Sequence, residues 1–153
     1  ETLRQDDPTL TIRSDKISSE KVQPWRVVLT RGEIECQNYQ LFTDDHRDRS
    51  LLFRNKSLYD VLHRLAGEKG VMTVLLEAGG ELLGSFSDEG LIDEWVVYLA
   101  PMVVGGPKAA LGGQGTAILE ERISLKDITI QQVGKDICAR GIVDRTGPDT
   151  PQR

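Results

Sequence analysis

Several chemical resources are scarce in this chain, and each gap removes a class of function. Only two cysteines occur, Cys36 and Cys138, far apart in sequence. They are too few for a disulfide framework or a thiolate metal site and read as ordinary reduced thiols. Histidine is as rare: His46 stands in the mixed-charge run Asp44 to Arg49, and His63 falls off the apolar stripe of its helix. Both read as solvated side chains, and no metal site is expected. Basic residues are not in excess, and a net charge of -5 offers no patch for nucleic acid. No apolar run approaches the roughly 18 to 20 residues that cross a bilayer, and no charged-then-apolar leader opens the sequence, so a cytoplasmic location is expected. The phosphate-loop pattern G-x-x-x-x-G-K-S/T and the nucleophile elbow G-x-S-x-G are both missing, which argues against a nucleoside triphosphatase and a serine hydrolase.

What remains is the composition of one soluble domain: 153 residues, 39% hydrophobic and 28% charged. The richest stretch runs from Val71 to Gly106. Val71 to Leu76 is a continuous apolar run between glycines, as in a strand covered on both faces. Glu77 to Gly80 form a turn, and Glu81 to Glu89 carry Leu82, Leu83 and Phe86 on one helical face before Gly90. A glycine turn feeding a helix leaves free backbone N–H groups at the positive end of the helix dipole, a site for an anion, best a phosphate. Glu94 to Pro101 then reads as a strand.

Elsewhere, Ser57 with Asp60 makes a capping start, and Leu58, Val61, Leu62 and Leu65 share one buried helical face, with Gly67 and Gly70 as stops. This helix would join a strand at Leu51 to Phe53 to the Val71 strand in a right-handed crossover. Trp25 to Leu29 reads as a buried strand, Tyr39 to Thr43 as a short strand, and Leu125 to Val133 with Ile137 to Val143 as an antiparallel hairpin. Glu1 to Arg13, turning at Asp6-Asp7-Pro8, reads as a loop, and Ser14 to Gln23 as a linker. Lys108 to Gly115 reads as a flexible surface segment, and the tail from Arg145 as disordered.

The residues Leu76-Glu77-Ala78-Gly79-Gly80, Leu83-Gly84, Gly90-Leu91-Ile92-Asp93-Glu94, Tyr98-Leu99-Ala100-Pro101 and Gly105-Gly106 resemble the reductase domain of the bacterial riboflavin-biosynthesis enzyme that follows the pyrimidine deaminase step. Thr2 with Asp6-Asp7-Pro8-Thr9-Leu10-Thr11-Ile12-Arg13 resembles that family's T-V-L-A-D-D-P-x-L-T-V-R loop, and Trp25 to Thr30 its R-V-V-L-D strand. The resemblance covers nearly the whole chain apart from the stretch between Gly32 and Phe53 and the tail.

It implies an α/β, dihydrofolate-reductase-like fold: a mainly parallel central sheet flanked by helices, with a C-terminal antiparallel hairpin. It also implies NADPH-dependent reduction of the ribosyl group of 5-amino-6-(5-phosphoribosylamino)uracil to the ribitylamino form. By resemblance Glu77 is the catalytic position, contacting the substrate's sugar, and Leu10 and Arg13 contact the substrate. A guanidinium fork such as Arg13 suits a ribose phosphate. Thr2 and Asp6 are implied to touch the cofactor, and Gly79, Gly80, Glu81, Leu82, Leu83, Gly84 and Ser85 to bind its pyrophosphate. Thr30 departs from the family's aspartate, and Arg31 beside it falls near the cofactor ribose, where a cation favours a 2′-phosphate.

The family carries an earlier strand with a lysine, a loop, a helix and a further strand before the position of Glu1, and the zinc deaminase signature is absent. The expectation is therefore an N-terminally truncated reductase domain over residues 1–145 with a tail over 146–153. An unpaired sheet edge, together with the family, implies a homodimer. Two alternatives stay open: an incomplete, non-catalytic chain that keeps part of the cofactor groove, and a reductase of the same fold with another substrate.

Overall fold

The computed structural model describes residues 2–13, 22–106 and 109–146, and the chain forms two compact units, Glu1–Leu75 and Leu76–Arg153. In the first unit, helix α1 (Thr2–Asp6) is followed by strand β1 (Arg26–Thr30), the short helix α2 (Gln40–Thr43), strand β2 (Ser50–Arg54) and helix α3 (Leu58–Lys69). Strands β1 and β2 pair in parallel, from Arg26 opposite Ser50 to Thr30 opposite Arg54. The α3 helix follows from its sequence as expected. Ser57 Oγ accepts a hydrogen bond from the Asp60 amide at 3.0 Å, and Gly70, at φ 64°, closes the other end. Its stripe Leu58, Val61 and Leu65 is buried; Val61 and Leu65 pack with Phe53, and Val27, Leu29, Leu51 and Val71 surround them. Burying each such side chain stabilises the unit by about 1.5–3 kcal/mol.

Four expectations for this unit need correction. Gly67 does not stop α3 but lies inside it, with open space where a Cβ would stand. Gly67→Ala should therefore raise the unfolding free energy by about 0.5–1 kcal/mol, because alanine restricts the unfolded backbone more than glycine does; urea denaturation measures it. The segment expected as a loop begins with α1, and the turn starts only at Asp7, whose φ of 39° precedes Pro8. Of Tyr39 to Thr43, expected as a strand, Gln40–Thr43 is helical and Tyr39 is its extended N-cap. Asp7 is the reason: its carboxylate accepts from Gln40 N at 2.9 Å and Gln40 Nε2 at 3.1 Å, capping α2 from 33 residues away.

Val71 to Leu76, expected as a buried strand, joins no sheet among the described residues. Met72 is 95% and Leu75 77% exposed. Apolar content makes a segment suitable for a sheet interior, but a strand exists only where a neighbour pairs with it. The crossover through α3 is consequently not formed.

The second unit holds helix α4 (Gly80–Asp88) and strands β3 (Glu94–Leu99), β4 (Leu125–Val133) and β5 (Asp136–Val143). The strands form an antiparallel sheet in the order β3-β5-β4. The expected hairpin is β4–β5, turning at Gly134 with φ 63°. The expected tail beyond Thr146 and most of the expected linker lie outside the described residues. Among the described residues, no helix is long and apolar enough to cross a membrane.

Candidate functional site

In the second unit the turn Glu77–Gly79 delivers the chain into α4. Gly79 is the N-cap at φ -68°, ψ 161°, and it makes no side-chain cap; its carbonyl accepts from Leu83 N at 3.1 Å. The first helical N–H groups have no intrahelical acceptor, and among the described residues no side chain caps them. Gly79 and Glu77 are exposed and Gly80 is half-buried, so the mouth of this bend is open. Glu81 is exposed in the first turn, Leu82 and Leu83 are half-buried, and the Ser85 hydroxyl bonds back to Glu81 O at 3.0 Å. Among the described residues, backbone N–H groups are thus what is offered to an anion here.

Gly84 lies one helical turn beyond Gly80. It is buried, and a Cβ added to it would lie 2.2 Å from the Gly112 carbonyl carbon and 2.3 Å from Gly113 N. At Gly80 the same atom would meet Ala109 O at 2.6 Å. The segment 109–115, expected to be a free surface loop, is thus docked backbone to backbone on α4. Gly112 N donates to Gly80 O at 2.9 Å, and Gln114 N donates to Asp88 Oδ2 at 2.7 Å. The glycine content that suggested mobility instead permits close approach.

The remaining candidates lie in the first unit. A cleft of about 500 Å³ opens between α1 and the end of β1, lined by Leu3, Arg4, Gln5, Val28, Leu29, Thr30, Gly32 and Ile34, a size that suits part of a nucleotide. Thr30 shapes its rim: the hydroxyl accepts from Gly32 N at 3.1 Å, which holds the turn that leaves Arg31 exposed. Thr2 and Asp6 are the two ends of α1. Arg4, not singled out from sequence, lines the cleft and donates to Glu33 O at 3.1 Å. Leu10 is half-buried at φ 51°, a conformation costly for a branched side chain and commonest near ligand sites. Arg13 is exposed.

One residue holds this unit's loops together and was given no role above. Arg26 is 1% exposed. Its Nη1 donates to Thr9 O at 2.8 Å and Asp44 Oδ2 at 2.6 Å; its Nη2 donates to Leu41 O at 2.9 Å and Asp44 Oδ1 at 2.8 Å. The guanidinium hydrogen bonds hold the Asp44 carboxyl below the ordinary aspartate range, against the opposing effect of desolvation. The available signal was a lone charge at the head of an apolar strand. Its partner, 18 residues away in a charged loop, could not be read from spacing.

The course of the chain resembles that of solved structures. RibD from Acinetobacter baumannii superposes with a TM-score of 0.79 at 27% identity, over 94% of this chain and 45% of that one. A deaminase/reductase from Thermotoga maritima, at 16% identity and a TM-score of 0.70, shares the fold. The chain is thus an α/β protein of the dihydrofolate-reductase-like class. Among curated proteins, the riboflavin biosynthesis protein RibD of Bacillus amyloliquefaciens is 38% identical over 162 residues, covering 89% of this chain and 43% of that protein. RibD of Mycobacterium tuberculosis is 30% identical over 136 residues, covering 89% and 38%. The RibD C-terminal domain model matches residues 1–139, and the chain belongs to that family. It spans well under half the length of these relatives.

Proposed function

We propose that this chain is the reductase domain of a riboflavin-biosynthesis enzyme, with residues 1–145 as one domain. It uses NADPH to reduce the ribosyl group of 5-amino-6-(5-phosphoribosylamino)uracil to the ribitylamino form. The carrying observation is the uncapped, open start of α4 at Gly79 with Glu77 beside it. The match across residues 1–139, which runs through both units, supports it. The residues fit the cofactor: a diphosphate suits the N–H groups from Gly80 to Leu82, with Leu83, Gly84 and Ser85 backing them. The bound nicotinamide supplies the hydride. The chain's own residues bind, orient and neutralise charge. Glu77 faces the substrate sugar, Leu10 and Arg13 hold the substrate, and Thr2, Asp6, Arg4 and Arg31 serve the cofactor, Arg31 toward a 2′-phosphate.

Mixing the chain with NADPH and the pyrimidine tests this directly: loss of nicotinamide absorbance only with both present supports it. Arg31→Ala should weaken NADPH about tenfold or more while leaving NADH unchanged, as expected for one lost charge-assisted contact. Equal losses for both cofactors would remove Arg31 from the 2′-phosphate.

A second reading, cofactor binding without turnover, draws on the unpaired Val71–Leu76 run that leads into Glu77. A rise in melting temperature with NADPH but no turnover would favour it. We further propose a cytoplasmic homodimer. Val97 and Leu99 of β3, Ile130 of β4 and Ile137 of β5 share one face of their sheet, and all are at least 43% exposed.

A further inference from the structure

We infer that Asp88 is a positioning residue for the cofactor diphosphate, acting through the segment 109–115. This rests on the reading that the diphosphate binds at the start of α4. Gly80, Gly84 and Asp88 follow one another at a spacing of four, so they form one stripe along the helix. Each meets the same segment. Gly80 O accepts from Gly112 N at 2.9 Å, Gly84 lies against the backbone of Gly112 and Gly113, and Asp88 accepts from Gln114 N at 2.7 Å and Gly115 N at 3.4 Å.

The two glycines supply clearance, and the hold they add is the neutral backbone bond from Gly112 N to Gly80 O. The hydrogen bonds to the Asp88 carboxylate are charge-assisted, and the shorter, from Gln114 N at 2.7 Å, is the strong one in the contact. Their donors sit where the chain reverses: Gly113 has φ 90° and Gly115 φ 65°. A Cβ at Gly113 would stand 2.7 Å from Asp88 Oδ2, so the carboxylate and the loop fit only with glycine there. Asp88 therefore anchors the loop at the far end of α4, and the anchored loop seats Gly112 on Gly80, at the turn whose N–H groups would face the diphosphate. Losing the anchor frees the segment to move over the first turn of α4, and the binding geometry becomes one of several. Asp88 itself touches no ligand, so its loss acts on cofactor affinity and not on the hydride step.

The test compares the wild-type chain, Asp88→Ala and Asp88→Asn for NADPH binding, steady-state kinetics and amide hydrogen exchange. Asp88→Ala should speed exchange at Gln114 and Gly115 and raise the NADPH dissociation constant and KM about tenfold, with kcat at saturating cofactor held. Asp88→Asn keeps an acceptor oxygen and should return affinity to within about threefold of wild type. If Asp88→Ala does not fold, the asparagine variant decides: an affinity unchanged with Gln114 exchange faster overturns the inference. Faster loop exchange in Asp88→Ala with unchanged NADPH affinity also overturns it, as does a fall in kcat alone. Failure of the wild-type chain to bind NADPH overturns the underlying reading, and this inference with it.

Discussion

Asp44→Ala is expected to lower the stability of the chain by about 3 kcal/mol, more than any other single change at a charged residue considered above. Breaking a buried ion pair from one side costs about 3–5 kcal/mol; the lower end applies because the Asp44 side chain keeps 24% exposure while that of Arg26 keeps none. The substitution strands a guanidinium among Thr9 O, Leu41 O and an empty space, and desolvation of that charge is no longer offset. Arg26→Met should cost less, since it removes the charge together with its need for a partner. Urea denaturation of both variants provides the comparison; equal losses would show that packing rather than charge dominates here.

The same pair sets a pH dependence. The folded-state pKa of Asp44 is depressed, chiefly by the Arg26 hydrogen bonds. Its contribution is therefore complete above the ordinary aspartate value, about 3.9, and is lost as pH falls below that toward the folded-state value. The acid limb of the wild-type stability curve should be steeper there than that of Asp44→Asn. Because Arg26 also holds Thr9 O, the segment carrying Leu10 should loosen in step.

Gly84→Ala should release the segment 109–115 from α4 and weaken NADPH about tenfold or more. Two effects oppose each other. Alanine improves helix propensity by about 1 kcal/mol. Against this, the added methyl lies 2.2–2.4 Å from the Gly112 carbonyl carbon and oxygen and from Gly113 N, and backbone atoms cannot rotate aside as a side-chain tip can. Overpacking of this kind costs about 1–3 kcal/mol, and the Gly112–Gly80 hydrogen bond lost with it about 0.5–1.5 kcal/mol. Clash wins, by about 0.5–3.5 kcal/mol net. The identical substitution at Gly67, where nothing lies within 4 Å, should have the opposite sign. Thermal melts of the two variants and NADPH titration of the first check this; a stabilised Gly84→Ala with intact affinity would mean that the loop does not seat the site.

The parts of the fold legible from the residues alone are those whose cause is local. The α3 helix follows from Ser57, a 3.6-residue apolar stripe and Gly70; the β4–β5 hairpin from two apolar runs around Gly134; the start of α4 from Gly79-Gly80 ahead of an amphipathic stretch. The glycine bend after Glu77 was legible for the same reason, whereas a role for Glu77 was implied by resemblance alone. The failures share a cause too. Gln40–Thr43 became helical because Asp7 caps it from a distant turn, and the glycine-rich segment 109–115 was held because Gly80, Gly84 and Asp88 present a matching stripe. Val71 to Leu76 had every strand preference but, among the described residues, no partner to pair with.

Backbone preference and apolar spacing act between residues a few positions apart, and those terms a linear chain displays openly. Which buried charge meets which carboxylate, and which glycine is needed for contact rather than for a turn, depend on groups brought together by the chain path. Arg26 with Asp44, and Gly84 beneath Gly112, acquire their roles only once desolvation and close packing act on the folded chain.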